Sequence, residues 1–246
     1  LASRMAVMPI DRAGTRHPQA EACARCAVRS QSLFGALDEA GLDRIHTRIE
    51  GLDMAPDETL YARGGDGSAL YTIRTGVVRF ERSTARGDRR IVRLAGRGDL
   101  IGLEALLQRP HADDAIACTP LQLCRIPRVL LDELGQDEAA LTRALMQRWQ
   151  DALDQSEAWV ADLATGPARR RVLRLLLRLT ELTEPGQPIW LPRREDIGAM
   201  LDMAIESASR FVSQLRREGL LSITGPRSAR VDRVALLQAI EAQDRS

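Results

Sequence analysis

From about Leu60 to Ile126 the chain alternates short β-favouring apolar runs with glycines at positions 64, 65, 67, 76, 87, 96, 98 and 102. The runs Leu70-Tyr71-Thr72-Ile73, Val77-Val78-Arg79-Phe80 and Ile91-Val92-Arg93-Leu94 recur at roughly ten-residue spacing, which predicts a small antiparallel barrel or jelly roll. Neither GxGxxG nor GxxxxGK[ST] occurs, so the glycines are read as turns rather than as a phosphate loop. After Pro127 the period changes. Asp137 to Leu163 holds no Pro or Gly, and Leu141, Leu145, Trp149, Ala152, Ser156, Val160 and Leu163 follow one another at steps of three or four. That is one stripe of a long helix, placed to pack on the barrel or to pair with its copy in a second subunit, and pairing is the reading adopted. Thr165-Gly166-Pro167 stops the helix and marks a hinge.

Beyond the hinge, Ala168 to Glu181 reads as an amphipathic helix with Val172, Leu175, Leu176 and Leu179 on its core face, followed by a Pro/Gly turn from Glu184 to Pro188. Apolar residues at 197, 201, 205, 208, 212 and 215 then fit two helices joined near Asp202-Met203, a helix-turn-helix. Leu220 to Ile223, the turn Thr224-Gly225-Pro226 and Ala229 to Val231 read as a two-stranded wing. The expected class is α+β.

Composition narrows this further. The 246 residues suit two domains, and no apolar run approaches the ~20 residues that span a bilayer. The short apolar patch Met5 to Ile10 is too brief for an export signal, so the expected location is the cytoplasm. All 35 basic residues are Arg. Net charge is +1, but Gly166 to Arg233 carries 13 Arg against eight acids, leaving the rest of the chain acidic. A basic end beside an acidic body fits a C-terminal part that meets nucleic acid. With Ile205, Ala208, Val212 and Leu215 facing inward, Glu206, Ser209 and Arg210 project where a recognition helix meets base edges. Arg210 suits guanine O6 and N7, Glu206 suits cytosine N4, and Ser209 a neighbouring base. Arg193, Arg194, Arg216, Arg217 and Arg227 are candidates for phosphate contact. The plainer alternative is a solvated face with a Glu206–Arg210 ion pair.

Roll, long helix and winged helix-turn-helix in this order resemble the CRP/FNR superfamily of bacterial transcription regulators over about residues 23 to 240. The most specific pieces are Leu70 to Gly76, Gly98-Asp99-Leu100-Ile101-Gly102, and Ile205-Glu206-Ser207-Ala208-Ser209-Arg210. The resemblance implies a cysteine-bearing segment (1–30), a cyclic-nucleotide-binding-like β-roll sensor (31–135), a dimerisation helix (136–165) and a winged helix-turn-helix DNA-binding domain (166–246). It also implies three partners: double-stranded DNA, a second copy through the 136–165 helix, and RNA polymerase. A membrane role and an enzymatic one are not expected. The E-x-x-S-R pattern of FNR proteins falls on Glu206, Ser209 and Arg210, implying a TTGAT-type palindrome. Asp202 stands where that family's turn usually has Gly; Asp tolerates the left-handed conformation better than most residues.

The resemblance also bears on the signal. CRP holds cyclic AMP through an Arg-Ser or Arg-Thr pair, whereas the corresponding stretch here, Gln108 to Ala115, offers Asp113 and Asp114, with Arg109 as a displaced phosphate ligand. Like charge argues against cyclic AMP. FNR regulators hold an oxygen-labile [4Fe-4S] cluster with four cysteines. Cys23 and Cys26 match the first two ligands and Cys124 the distant one, while the third position is Ser32. Cys118, expected on the same sheet edge as Cys124, is the first candidate for the fourth ligand, with Ser32 or Asp38 as oxygen donors. The alternatives are a Cys23–Cys26 thiol switch, zinc, haem through His17, His46 or His111, a small-molecule signal, and an oxidoreductase using the CxxC.

Overall fold

The computed structural model describes residues 28, 33–36, 48–135, 139–184, 186–244. The glycine-punctuated region forms two four-stranded antiparallel sheets. One runs in the order β1 (Glu50–Met54), β8 (Leu121–Pro127), β3 (Ala69–Thr75), β6 (Leu100–Ile101). The other runs β2 (Thr59–Tyr61), β7 (Asp114–Ala117), β4 (Val78–Ser83), β5 (Arg89–Ala95). The three apolar runs read from the sequence fall on β3, β4 and β5, with Val77 just ahead of β4. β3 is buried on both faces because it has two cores to fill. Ala69, Tyr71 and Ile73 enter the interior of the roll with Phe80, Ile101 and Leu123, while Leu70 joins Leu33, Ile126, Leu130 and Leu141 outside it. At the β3–β4 turn a Cβ on Gly76, whose φ is +95°, would lie 2.5 Å from the Pro120 carbonyl oxygen, so only glycine closes this corner.

Helix α1 (Arg128–Gly135) leads into the long helix α2 (Ala139–Trp159), which continues as a π-helical turn over Val160–Ala164 before Gly166 breaks it at φ +86°. The single stripe expected on α2 divides. Leu141 and Leu145 pack against the roll, whereas Trp149 and Val160, with Met146 and Leu153, are exposed.

The C-terminal part contains α3 (Ala168–Glu181), α4 (Arg194–Leu201), α5 (Ile205–Arg217) and α6 (Arg233–Asp244). Its sheet has three strands rather than two. β9 (Ile189–Trp190), not foreseen, pairs antiparallel with β11 (Ser228–Val231), which pairs with β10 (Leu221–Gly225). Val172, Leu176, Ile197, Leu201, Val212, Leu215 and Leu236 fill this core, which is continuous with Val77, Ile91, Leu94 and Cys118 of the roll. Roll and reader therefore share an apolar seam. Among the described residues no helix is long and apolar enough to cross a membrane.

Candidate nucleic-acid interface and sensor site

The helix-turn-helix is built by three local devices. The Arg193 amide donates to the Asp196 carboxylate at 3.2 Å, closing the first turn of α4. Asp202 ends that helix at φ 49°, ψ 59°, the left-handed conformation that the turn requires. The Met203 amide then returns to the Gly198 carbonyl at 3.3 Å, drawing α5 across α4.

On α5, Ala208, Val212 and Leu215 are buried, and Glu206, Ser209 and Arg210 lie together on the exposed face. Ile205 corrects the expectation: it is 48% exposed. It is the first residue of the helix, and its side chain extends the exposed face instead of the core. Among the described residues Glu206 and Arg210 form no ion pair with each other, and Arg210 leans over the Phe211 ring at 5.5 Å. Glu206 sits in the first turn and Arg216 and Arg217 in the last, each matched to the sign of its helix end.

The five candidate phosphate-contacting arginines have different settings. Arg216 and Arg217 are exposed. Arg194 is half-buried, and burial together with the neighbouring Arg216 charge lowers its pKa, the electrostatics of a pair that favours an anion. Arg193 and Arg227 both turn toward the roll, reaching Asp57 Oδ2 at 3.3 and 3.0 Å.

Those last contacts belong to a closed circuit of charges that the sequence did not reveal. Asp57 accepts from Arg79 at 3.0 Å, and Glu81 accepts from Arg79 Nε and Arg89 at 2.6 Å each. Arg89 also reaches Asp196 at 2.6 Å, and Arg227 stands 3.7 Å from Asp196 before closing on Asp57. Burial opposes ionisation of Asp57, but the hydrogen bonds and charges of Arg79 and Arg227 outweigh it and hold this carboxyl below the usual range. Nearby, Arg90 pairs with Asp202 of the turn at 2.6 Å, and Arg97 with Glu184 at 2.9 Å.

Of the candidate cluster ligands, Cys23, Cys26, Ser32 and Asp38 lie outside the described residues. Cys118 and Cys124 are not brought together. Cys124 sits on β8 opposite Gly51 and Thr72, half-buried against the apolar cluster that contains Leu33. Cys118 instead packs in the seam between roll and reader, 4.0 Å from Arg79 Nη1. Burial pushes its thiol up to about 12, with Arg79 opposing. The same-edge expectation fails because the β7–β8 turn carries Cys118 to the far end of the roll. Among the described residues no group of three His, Cys, Asp or Glu is arranged to hold a metal.

The Gln108 to Ala115 stretch is also resolved differently from the like-charge argument. Asp113 pairs with Arg82 at 2.7 Å and Asp114 accepts the Arg63 amide at 2.8 Å, so neither carboxylate is bare. Arg109 lines a cleft of about 300 Å³ with Arg93, Glu104, Trp149, Leu153 and Ser156. His111 is buried, stacked on Tyr61 at a centroid distance of 3.7 Å. His17 and His46 lie outside the described residues.

Two family matches divide the chain as the fold does: the cyclic nucleotide-binding domain over residues 52–138 and the Crp-like helix-turn-helix domain over residues 170–240. The fumarate and nitrate reduction regulatory protein of Vibrio cholerae is 26% identical over 211 residues, 82% of this chain and 84% of the relative. The anaerobic regulatory protein of Pasteurella multocida is 25% identical over 222 residues, 88% of this chain and 81% of the relative. Among solved structures, FixK2 from Bradyrhizobium japonicum superposes with a TM-score of 0.69 at 26% identity, covering 77% of this chain and 96% of that one. With both domains matched in order and the recognition helix exposed, the chain belongs to the CRP/FNR family of DNA-binding transcription regulators.

Proposed function

We propose that the protein is an FNR-type regulator that binds a TTGAT-like palindrome as a homodimer and answers oxygen, nitric oxide or redox state. The observation that carries the DNA reading is the shared exposed face of Glu206, Ser209 and Arg210 on α5, flanked by the Arg194–Arg216 pair. Arg210 donates to guanine O6 and N7, Glu206 accepts from cytosine N4, and Ser209 touches the adjacent base. Arg193, Arg194, Arg216, Arg217 and Arg227 serve the phosphates on either side. The exposed stripe Met146, Trp149 and Leu153 on α2, with Val160 of the π-helical turn that continues it, pairs two copies, setting their recognition helices about 34 Å apart. Once on DNA, RNA polymerase is the partner of such a dimer, in the cytoplasm.

For the signal, the donor chemistry fits an iron–sulfur cluster in three of four positions. Cys124 abuts the apolar cluster that Leu33 enters, and Leu33 follows Cys23 and Cys26 closely in the chain. Cys23, Cys26 and Cys124 would hold the cluster, with Ser32 or Asp38 completing the set in place of Cys118; when bound, the cluster supplies chemistry that oxygen and nitric oxide destroy. The names of the relatives, an anaerobic regulator and a fumarate and nitrate reduction regulator, support a redox signal. The cleft between Arg93, Arg109 and Trp149 favours a second reading, a regulator answering a small molecule there.

Anaerobically purified protein tests both parts. The expected result is iron and acid-labile sulfide in the preparation, and a TTGAT-palindrome affinity that falls steeply with salt and with exposure to air. Iron-free protein that binds the duplex equally with and without air would remove the cluster and leave the second reading. Absence of salt-dependent duplex binding would remove the DNA-contact assignments.

A further inference from the structure

We infer that Asp57 is an internal mimic of a DNA phosphate, and that its contacts with Arg193 and Arg227 hold the reader domain in a self-inhibited arrangement. The inference rests on the DNA reading above, in which those two arginines serve the DNA backbone. Three guanidinium groups converge on this one carboxylate: Arg79 at 3.0 Å, Arg227 at 3.0 Å and Arg193 at 3.3 Å. An oxyanion held between arginines from both sides of the helix-turn-helix presents the charge and lone pairs that a phosphate oxygen would present.

The local backbone supports an aimed carboxylate. Asp57 has φ +67°, an uncommon conformation for a residue other than glycine, and its amide donates to the Ala117 carbonyl at 2.8 Å. Asp57 is the third residue of the Ala55–Glu58 β-turn, closed by the Glu58 amide donating to the Ala55 carbonyl at 3.2 Å, a position where Asp accepts positive φ. Behind Asp57 the circuit through Arg79, Glu81, Arg89 and Asp196 fixes the same two domains a second time, at the Arg89–Asp196 contact of 2.6 Å. A third tie, Arg90 to Asp202, reaches the turn between α4 and α5.

The chemistry sets these contacts in competition with DNA. Arg193 gives Asp57 its Nη2 and Arg227 its Nη1, and these donors are withheld from a phosphate while the contacts stand. Asp57 beside a phosphate would also add like-charge repulsion. DNA binding at Arg193 and Arg227 therefore competes with Asp57, and whatever signal moves the reader away from the β1–β2 corner favours binding.

The test measures duplex affinity of the full chain and of Asp57→Asn, Asp57→Glu and Asp57→Asn/Arg193→Gln/Arg227→Gln. Asp57→Asn is expected to bind about three- to tenfold more tightly than the parent, the scale of two partly exposed ion pairs. Asp57→Glu is expected to stay near the parent, and the triple variant to lose the gain. Unchanged or weaker binding by folded Asp57→Asn overturns the clasp while leaving the DNA reading in place. Failure of every protein to bind any duplex overturns both. A measurement without mutation accompanies it: carbodiimide labelling of Asp57 in the parent chain should rise when saturating duplex is added. Labelling that is unchanged or falls counts against the clasp, even if the Asn variant does not fold.

Discussion

A Cβ placed on Gly198 of α4 would lie 2.7 Å from the carbonyl oxygen of Met203, so the turn between the two reader helices closes directly onto this glycine. The opposing atom is backbone and cannot swing aside. Gly198→Ala gains helix propensity of up to about 1 kcal/mol, but overpacking of this kind typically costs about 1–3 kcal/mol. The variant should melt at lower temperature than the parent and lose duplex affinity, because α5 is displaced. A neutral or raised melting temperature would show that the turn has slack.

Arg210 and Arg216 separate base reading from phosphate holding. Arg210→Ala should cost about 1–3 kcal/mol in duplex binding and relax the preference at one base position. Arg216→Gln should weaken binding to all sequences alike and reduce the salt slope by about one. Titrations against a panel of single-base operator variants at several salt concentrations distinguish the two outcomes.

The Arg210 and Arg216 predictions concern residues that the sequence already exposed, since both positions follow from local periodicity. Strand runs between glycines, the long helix and the E-x-x-S-R face can be read from neighbours a few residues apart. The circuit linking Asp57, Arg79, Glu81, Arg89, Asp196 and Arg227 was not legible, because its members come together only once the roll folds against the reader. β9 escaped for a similar reason: two residues, Ile189 and Trp190, carry no period and become a strand only by pairing with β11. Cys118 and Cys124 part because six residues across a β-turn carry a side chain into a different core, which spacing along the chain does not show.

The face of α2 that the roll does not cover predicts self-association. Trp149 is 44% exposed and Leu153 48%, with Met146 and Val160 more so, which leaves a stripe of large apolar side chains in contact with water. Leu153→Glu should place a charge in the middle of the paired helices and shift the protein from dimer to monomer in sedimentation velocity, with duplex affinity falling as half-sites are read singly. A dimer that survives the substitution would assign pairing to another surface.

Cys118 should behave as a packing residue. Its thiol is 2% exposed, and its pKa of about 12 keeps it protonated at neutral pH. Iodoacetamide at pH 8 should leave Cys118 unmodified in the native protein and alkylate it in denaturant. Cys118→Ala should keep the iron content of anaerobic preparations, whereas Cys124→Ala should lose it.

Asp57 gives the junction a defined response to acid. Its carboxyl lies below the usual range in the folded chain, where Arg79 and Arg227 offset its burial, while in the unfolded chain it takes the ordinary value of ~3.9. Between those two values the unfolded chain binds more protons than the folded one, so stability rises with pH there. The contribution is complete above the unfolded value and is lost as pH falls through the folded one. Asp57→Asn cannot ionise, so the stability difference between parent and variant isolates this group from the other carboxylates. That difference should be constant from about pH 5 upward and shrink progressively below about pH 4, measured by denaturant unfolding at each pH. A difference that grows on acidification would mean the carboxylate is destabilised by its arginines' surroundings, and the junction would then owe its cohesion to the apolar seam around Leu94, Cys118 and Leu176.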